Sequence, residues 1–159
     1  MILDRPAIEQ LLPQRPPLLL VDRVTATAEG AEPSLVAALD LTGDEPVLSG
    51  HFPHRPIWPG SYTIEGLAQA CAILGGLWSR AGALSLAGSG LSPPPPEPPA
   101  MVAAVKVKLL RPVVPPATLV YRVAHTHVVG DIHRFAVEAS VDGASVAEGT
   151  LDVVWRDGS

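Results

Sequence analysis

Cysteine is almost absent. Cys71 stands alone, which excludes an intramolecular disulfide and any cysteine-based zinc site. It lies six residues past Glu65 in an apolar stretch, where a thiol reads as inert core rather than as a nucleophile. Charge is scarce as well: charged residues make up 17% of the chain against 47% hydrophobic, a balance that suits a compact protein burying further surface in a dimer. No basic run occurs and the net charge is −5, so nucleic acid is not an expected partner. No glycine-rich phosphate loop follows a strand, which argues against a nucleotide cofactor. Ser61 follows Gly60 but is not framed by a Gly-x-Ser-x-Gly elbow, which argues against a serine hydrolase. The opening Met1-Ile2-Leu3-Asp4-Arg5-Pro6 lacks the apolar segment of a signal peptide, giving a cytoplasmic location as the default expectation.

What is present suits one domain over residues 1–159. A short helix is expected from Arg5 or Pro6 to Leu12, with strands over Leu18–Thr27 and Ser34–Leu41. An apolar helix follows from Gly60 to Ser79, ending at Arg80. Further strands are expected near Met101–Leu110, Thr118–Val129, Ile132–Val141 and Ser145–Val154. The turns Val129-Gly130-Asp131 and Asp142-Gly143-Ala144 make the last three strands antiparallel hairpins. One buried helix followed by a strand meander is an α+β pattern. Ser92-Pro93-Pro94-Pro95-Pro96-Glu97-Pro98-Pro99 favours polyproline II and reads as a stiff connector over about 92–99.

The central helix carries the chemistry. From Gly60 to Ser79 the only ionisable side chains are Glu65, Tyr62 and Cys71, and a helix apolar on all sides is normally buried. The mid-segment carboxylate and glycines argue against a membrane span. A buried carboxylate is hydrogen-bonded, protonated or beside a cation, and desolvation moves carboxyls toward general-acid duty. The plainer alternative is a glutamate facing solvent in the first helical turn, where the dipole favours acids. Gln69, four residues on, shares the face of Glu65 and is placed to orient it. Upstream, Pro53, Pro56 and Pro59 stiffen the loop that carries His51, and Gly60 stands where free helix-start N–H groups can bind a developing oxyanion.

Gly50-His51-Phe52-Pro53, Arg55-Pro56-Ile57-Trp58-Pro59-Gly60 and Ile64-Glu65-Gly66-Leu67-Ala68-Gln69 together resemble the 3-hydroxyacyl-[acyl-carrier-protein] dehydratases of the hot-dog fold, glutamate type (FabZ-like). Leu12-Pro13-Gln14-Arg15 through Val24, and Val105-Lys106-Val107-Lys108 through Pro115, extend the likeness over most of the chain in the same order. The resemblance implies an antiparallel sheet wrapped around a long central helix. It also implies a homodimer or a trimer of dimers, in which the histidine and the carboxylate of each site come from opposite protomers. His51 would take the α-proton of a 3-hydroxyacyl thioester, and Glu65 would protonate the departing hydroxyl or orient the water that does. The Gly60 N–H would bind the thioester carbonyl, Gln69 would support Glu65, and Pro59, Trp58 and Tyr62 would border the substrate. No cofactor is implied beyond the phosphopantetheine that carries the substrate on an acyl carrier protein. Lys106, Lys108 and Arg111 are candidates for docking that acidic carrier, or else ordinary solvated strand residues.

Several positions depart from the family pattern without removing a catalytic group: Gln14, Pro16-Pro17, Trp58, Ser61-Tyr62-Thr63, Ala103-Ala104-Val105 and Pro116-Ala117. His125 and His127, two apart on an expected strand, would share one face, with His133 able to approach across the hairpin. No third ligand at a convincing spacing accompanies them, and no metal is expected. Two other functions stay open on the residues alone: a hot-dog acyl thioesterase, and a non-catalytic subunit that binds acyl carriers.

Overall fold

The computed structural model describes the backbone of residues 1–87 and 100–154, and the side chains of residues 1–78 and 100–154. A short helix α1 (Arg5–Glu9) leads into strands β1 (Arg23–Ala28) and β2 (Ser34–Leu41), then a 3-10 turn at Pro46–Ser49 and the long helix α2 (Gly60–Ala87). Strands β3 (Met101–Leu109), β4 (Ala117–Val129), β5 (Ile132–Val141) and β6 (Ala144–Val154) complete it. The strands form one six-stranded sheet in the order β1-β2-β4-β5-β6-β3, with every neighbouring pair antiparallel. Helix α2 lies across one face, over β4, β2 and β5, and the sheet curls around it as a hot-dog fold.

Local chemistry accounts for the elements. Strands β5 and β6 meet in a two-residue turn, Val141 pairing Ala144, because Asp142 and Gly143 both accept positive φ (51° and 79°). Strand β4 alternates Leu119, Tyr121 and Val123 into the core, all at most 2% exposed, against Leu67, Ala70, Cys71, Ile73 and Leu74 of α2. The Asp4 side chain caps α1 by accepting from the Ala7 N–H.

Four expectations need correction. Residues 18–22 precede the first strand, because the Leu18 carbonyl accepts from the Gln69 side chain and the Leu20 N–H donates to it, and contact with β2 begins only with the Asp22 N–H on the Ala38 carbonyl. The first helix stops at Glu9 rather than reaching Leu12, and the central helix runs past Arg80 to Ala87. Gly66, Gly75 and Gly76, each costing about 1 kcal/mol relative to alanine, are outweighed by the packing of the helix on the sheet. Nor is the helix buried all round. Ile64, Glu65, Ala68, Ala72, Gly75 and Gly76 form a half-buried stripe facing away from the sheet. The proline-rich connector at about 92–99 lies outside the described residues.

Candidate active site

His51 follows the 3-10 turn and is fixed twice to Ile57. The Ile57 N–H donates to the His51 carbonyl at 2.9 Å, and the imidazole Nδ1 lies 2.7 Å from the Ile57 carbonyl. A carbonyl can only accept, so Nδ1 carries a proton, and in the neutral ring Nε2 is then the nitrogen with the lone pair. The ring also stacks on Phe52, with centroids 4.3 Å apart and planes 23° apart. The loop thus holds the imidazole in a single orientation.

Pro59, buried, places its carbonyl over the first turn of α2, accepting from the N–H groups of Tyr62 (3.0 Å) and Thr63 (3.3 Å). The N–H groups of Gly60 and Ser61 then have no carbonyl from their own helix, as at any helix start. His51, Trp58, Gly60 and Thr63 line a cleft of about 240 Å³, together with Leu109 and Arg111. Trp58 is 4% exposed, donates its backbone N–H to Val113, and meets Tyr62 edge-on at 5.3 Å. Its indole N–H is buried without a partner among the described residues. Tyr62 itself is half-buried behind Trp58 rather than lining the cleft.

Glu65 and Gln69 lie elsewhere. Five residues of α-helix turn a side chain by about 140°, so Glu65 emerges well away from Gly60, on the half-buried stripe. Gln69 is 1% exposed and every polar atom of its amide is used. Oε1 accepts from the Leu20 N–H at 2.8 Å, while Nε2 donates to the Leu18 carbonyl at 2.6 Å and to Glu65 Oε1 at 2.9 Å. Because Leu20 presents an N–H and Leu18 a carbonyl, the amide can point only one way, and it holds one carboxylate oxygen as an acceptor. One chain therefore holds two separate groups: imidazole and helix-start N–H in the cleft, carboxylate and amide on the stripe.

Of the docking candidates, only Arg111 reaches the cleft. Lys106 and Lys108 are exposed on β3, paired with Thr150 and Glu148. Burial pushes the Cys71 thiol up in pKa and keeps it protonated, in line with an inert role. The histidines correct the shared-face expectation. A bulge at Thr126 pairs His127 with Arg134, turning it to the other face, while His125 Nε2 meets His133 Nδ1 at 3.1 Å. Among the described residues, no group of three or more His, Cys, Asp or Glu side chains could hold a metal. The sequence reading missed Thr63, Leu109 and Val146 as cleft residues and Leu18–Leu20 as the anchor of Gln69. The adjacent Leu109-Leu110 before Arg111 was the available signal for the first group; no local pattern marks the second.

Residues 12–150 match the FabA-like domain. The chain belongs to this family. It is 38% identical over 157 residues to the 3-hydroxyacyl-[acyl-carrier-protein] dehydratase FabZ of Anaeromyxobacter sp. (strain Fw109-5), covering 98% of this chain and 92% of that protein. It is 35% identical over 149 residues to FabZ of Aromatoleum aromaticum, covering 94% of each. Among solved structures, the dehydratase heterocomplex ApeI:P from Xenorhabdus doucetiae superposes with a TM-score of 0.66 at 17% identity, covering 94% of this chain and 91% of that one, a likeness of fold. Among the described residues of this family member, no helix is long and apolar enough to cross a membrane.

Proposed function

We propose that this FabA-like chain is a 3-hydroxyacyl-[acyl-carrier-protein] dehydratase of fatty acid biosynthesis, acting as a dimer of domains that each span residues 1–159. The observation that carries the reading is the His51 imidazole, its Nε2 left as a base by the Ile57 carbonyl, in one apolar cleft with the Gly60 N–H. His51 removes a proton from the α-carbon. Enolate-like charge gathers on the thioester oxygen, where the Gly60 N–H stabilises it; one such donor is typically worth about 3 kcal/mol. The carbon–oxygen bond at C3 breaks, Glu65 of the second copy supplies the proton, directly or through water, and water leaves a trans-2-enoyl thioester. The substrate arrives on phosphopantetheine and brings its own activation, so acid–base groups suffice. Arg111 at the cleft suits an acidic carrier better than Lys106 or Lys108.

Two features support a dimer. Strand β3 is an edge nine residues long with Met101, Val102 and Val105 exposed, an edge that proteins ordinarily cover. The stripe bearing Glu65 is uncharged apart from that glutamate, and a second copy would bring it to the first copy's cleft.

The test is mass spectrometry of 3-hydroxyacyl carrier proteins with wild type, His51→Ala and Glu65→Gln. Loss of one water from the intact thioester is expected in wild type and in neither variant. Mixing the two variants with subunit exchange should restore about a quarter of wild-type sites, since half the dimers are mixed and each rebuilds one site. Thiol release without water loss would replace this reading with a thioesterase, and carrier binding without turnover with a binding subunit. Failure of the mixture to recover would refute the shared site.

A further inference from the structure

We propose that Leu109 reads the α-carbon of the acyl thioester and restricts the enzyme to 3-hydroxyacyl thioesters unbranched at that carbon; the inference rests on the dehydratase reading above. Leu109 ends β3, paired with Ala147, and its strand is held there by the Leu110 N–H donating to Val146 at 2.8 Å. Its side chain lies on Gly60. A Cβ built on that glycine would stand 2.4 Å from Leu109 Cδ1, 3.3 Å from Cδ2 and 3.4 Å from Cγ. Leu109 is nonetheless 56% exposed, so it is not core filling but a wall that other atoms can reach.

Substrate chemistry places the α-carbon beside that wall. A thioester oxygen bound to the Gly60 N–H sits about 2.9 Å from the nitrogen, and the α-carbon is two bonds from that oxygen. The α-carbon therefore comes within van der Waals range of whatever lies on Gly60. One of its hydrogens points at His51 for removal, on the same cleft. Its second substituent takes the remaining direction, between the helix start and Leu109. A hydrogen fits there, whereas a methyl group meets the branched end of a leucine whose backbone is fixed by the sheet.

The experiment compares kcat/KM for 3-hydroxyacyl and 2-methyl-3-hydroxyacyl carrier-protein thioesters of equal chain length. Wild type should prefer the unbranched substrate. Leu109→Ala should raise the branched-to-unbranched ratio by about tenfold or more, the scale of one misfitting methyl group in an apolar pocket. Leu109→Val, which keeps a strand-forming side chain, should move it the same way by a smaller factor, and Leu109→Phe should lower it. A variant that is only damaged loses both substrates alike and leaves the ratio where it was. A ratio unchanged in both Ala and Val variants, or a wild type indifferent to the methyl group, overturns the assignment of Leu109 while leaving the dehydratase reading intact. A wild type that dehydrates neither substrate overturns both.

Discussion

Gly66→Ala is the most exacting test of how α2 sits on the sheet. An added Cβ would lie 2.2 Å from the Tyr121 hydroxyl oxygen, 2.4 Å from Cζ and 3.0 Å from Cε1, well inside contact distance. Tyr121 is fully buried on the central strand β4, so its ring cannot swing aside. In an unhindered helix the substitution would gain about 1 kcal/mol of helix propensity. Overpacking costs about 1–3 kcal/mol, and three contacts to a trapped ring place this case at the upper end. The net expectation is a loss of about 2 kcal/mol, or roughly 4–8 °C in Tm for a chain of this size. Tyr121→Leu removes the ring, and in that background Gly66→Ala should become stabilising by about 1 kcal/mol, giving a coupling near 3 kcal/mol. Tyr121→Phe alone should cost nothing or stabilise, because the hydroxyl is buried without a partner among the described residues. Urea denaturation of the single and double variants at one protein concentration supplies every value. A Gly66→Ala protein more stable than wild type with Tyr121 in place would refute the reasoning.

Gln69→Leu should cost about 1–3 kcal/mol in the same assay, since it strands the buried Leu20 N–H and removes the donor to the Leu18 carbonyl, and should lower kcat by more than the folded fraction falls; a stability within about 0.5 kcal/mol of wild type would contradict the anchoring role. Burial first, then the neighbouring His133 and His127, hold His125 below its ordinary pKa of 6.5. As pH falls through about that value the unfolded chain takes up a proton that the native site resists, so native stability is lost on the acid side and unaffected above it. His125→Phe should flatten the fall in Tm between pH 7.5 and pH 5.5, and an unchanged slope would remove His125 as its source. Val105→Lys, on the exposed edge of β3, should give a folded monomer by sedimentation that has lost dehydration; an active dimer would rule out that edge as the contact.

How far the sequence could be read depended on the range of the forces involved. Strands β2 and β5 fall where alternation and turn chemistry place them, and the strands from Met101 onward differ by a residue at most at either end. Those signals are local, set by neighbouring residues and by pairs such as Asp142-Gly143. The first strand was overextended because Leu18–Asp22 is as apolar as a strand but is bonded to a side chain 49 residues away in the case of Leu20. His125 and His127 were assigned one face because period-two alternation holds only in a regular ladder, and a single bulge at Thr126 reverses it.

The site divides along the same line. That His51 and Gly60 share a cleft was legible because their spacing is local, as was the face shared by Glu65 and Gln69, to which one amide-to-carboxylate hydrogen bond of 2.9 Å gives a geometry. What spacing could not supply was the wall lying on the helix start. Leu109 reaches Gly60 only because β3 folds back onto β6, and no pattern near residue 60 foretells that contact. The helix itself carries the remaining constraint. Gly60 and Glu65 are fixed on one rigid rod about 140° apart, so no rearrangement within α2 can turn both toward the same bound thioester. That offset supports the proposal that the carboxylate serving His51 comes from another copy, and recovery of activity on mixing His51→Ala with Glu65→Gln is the outcome that tests it.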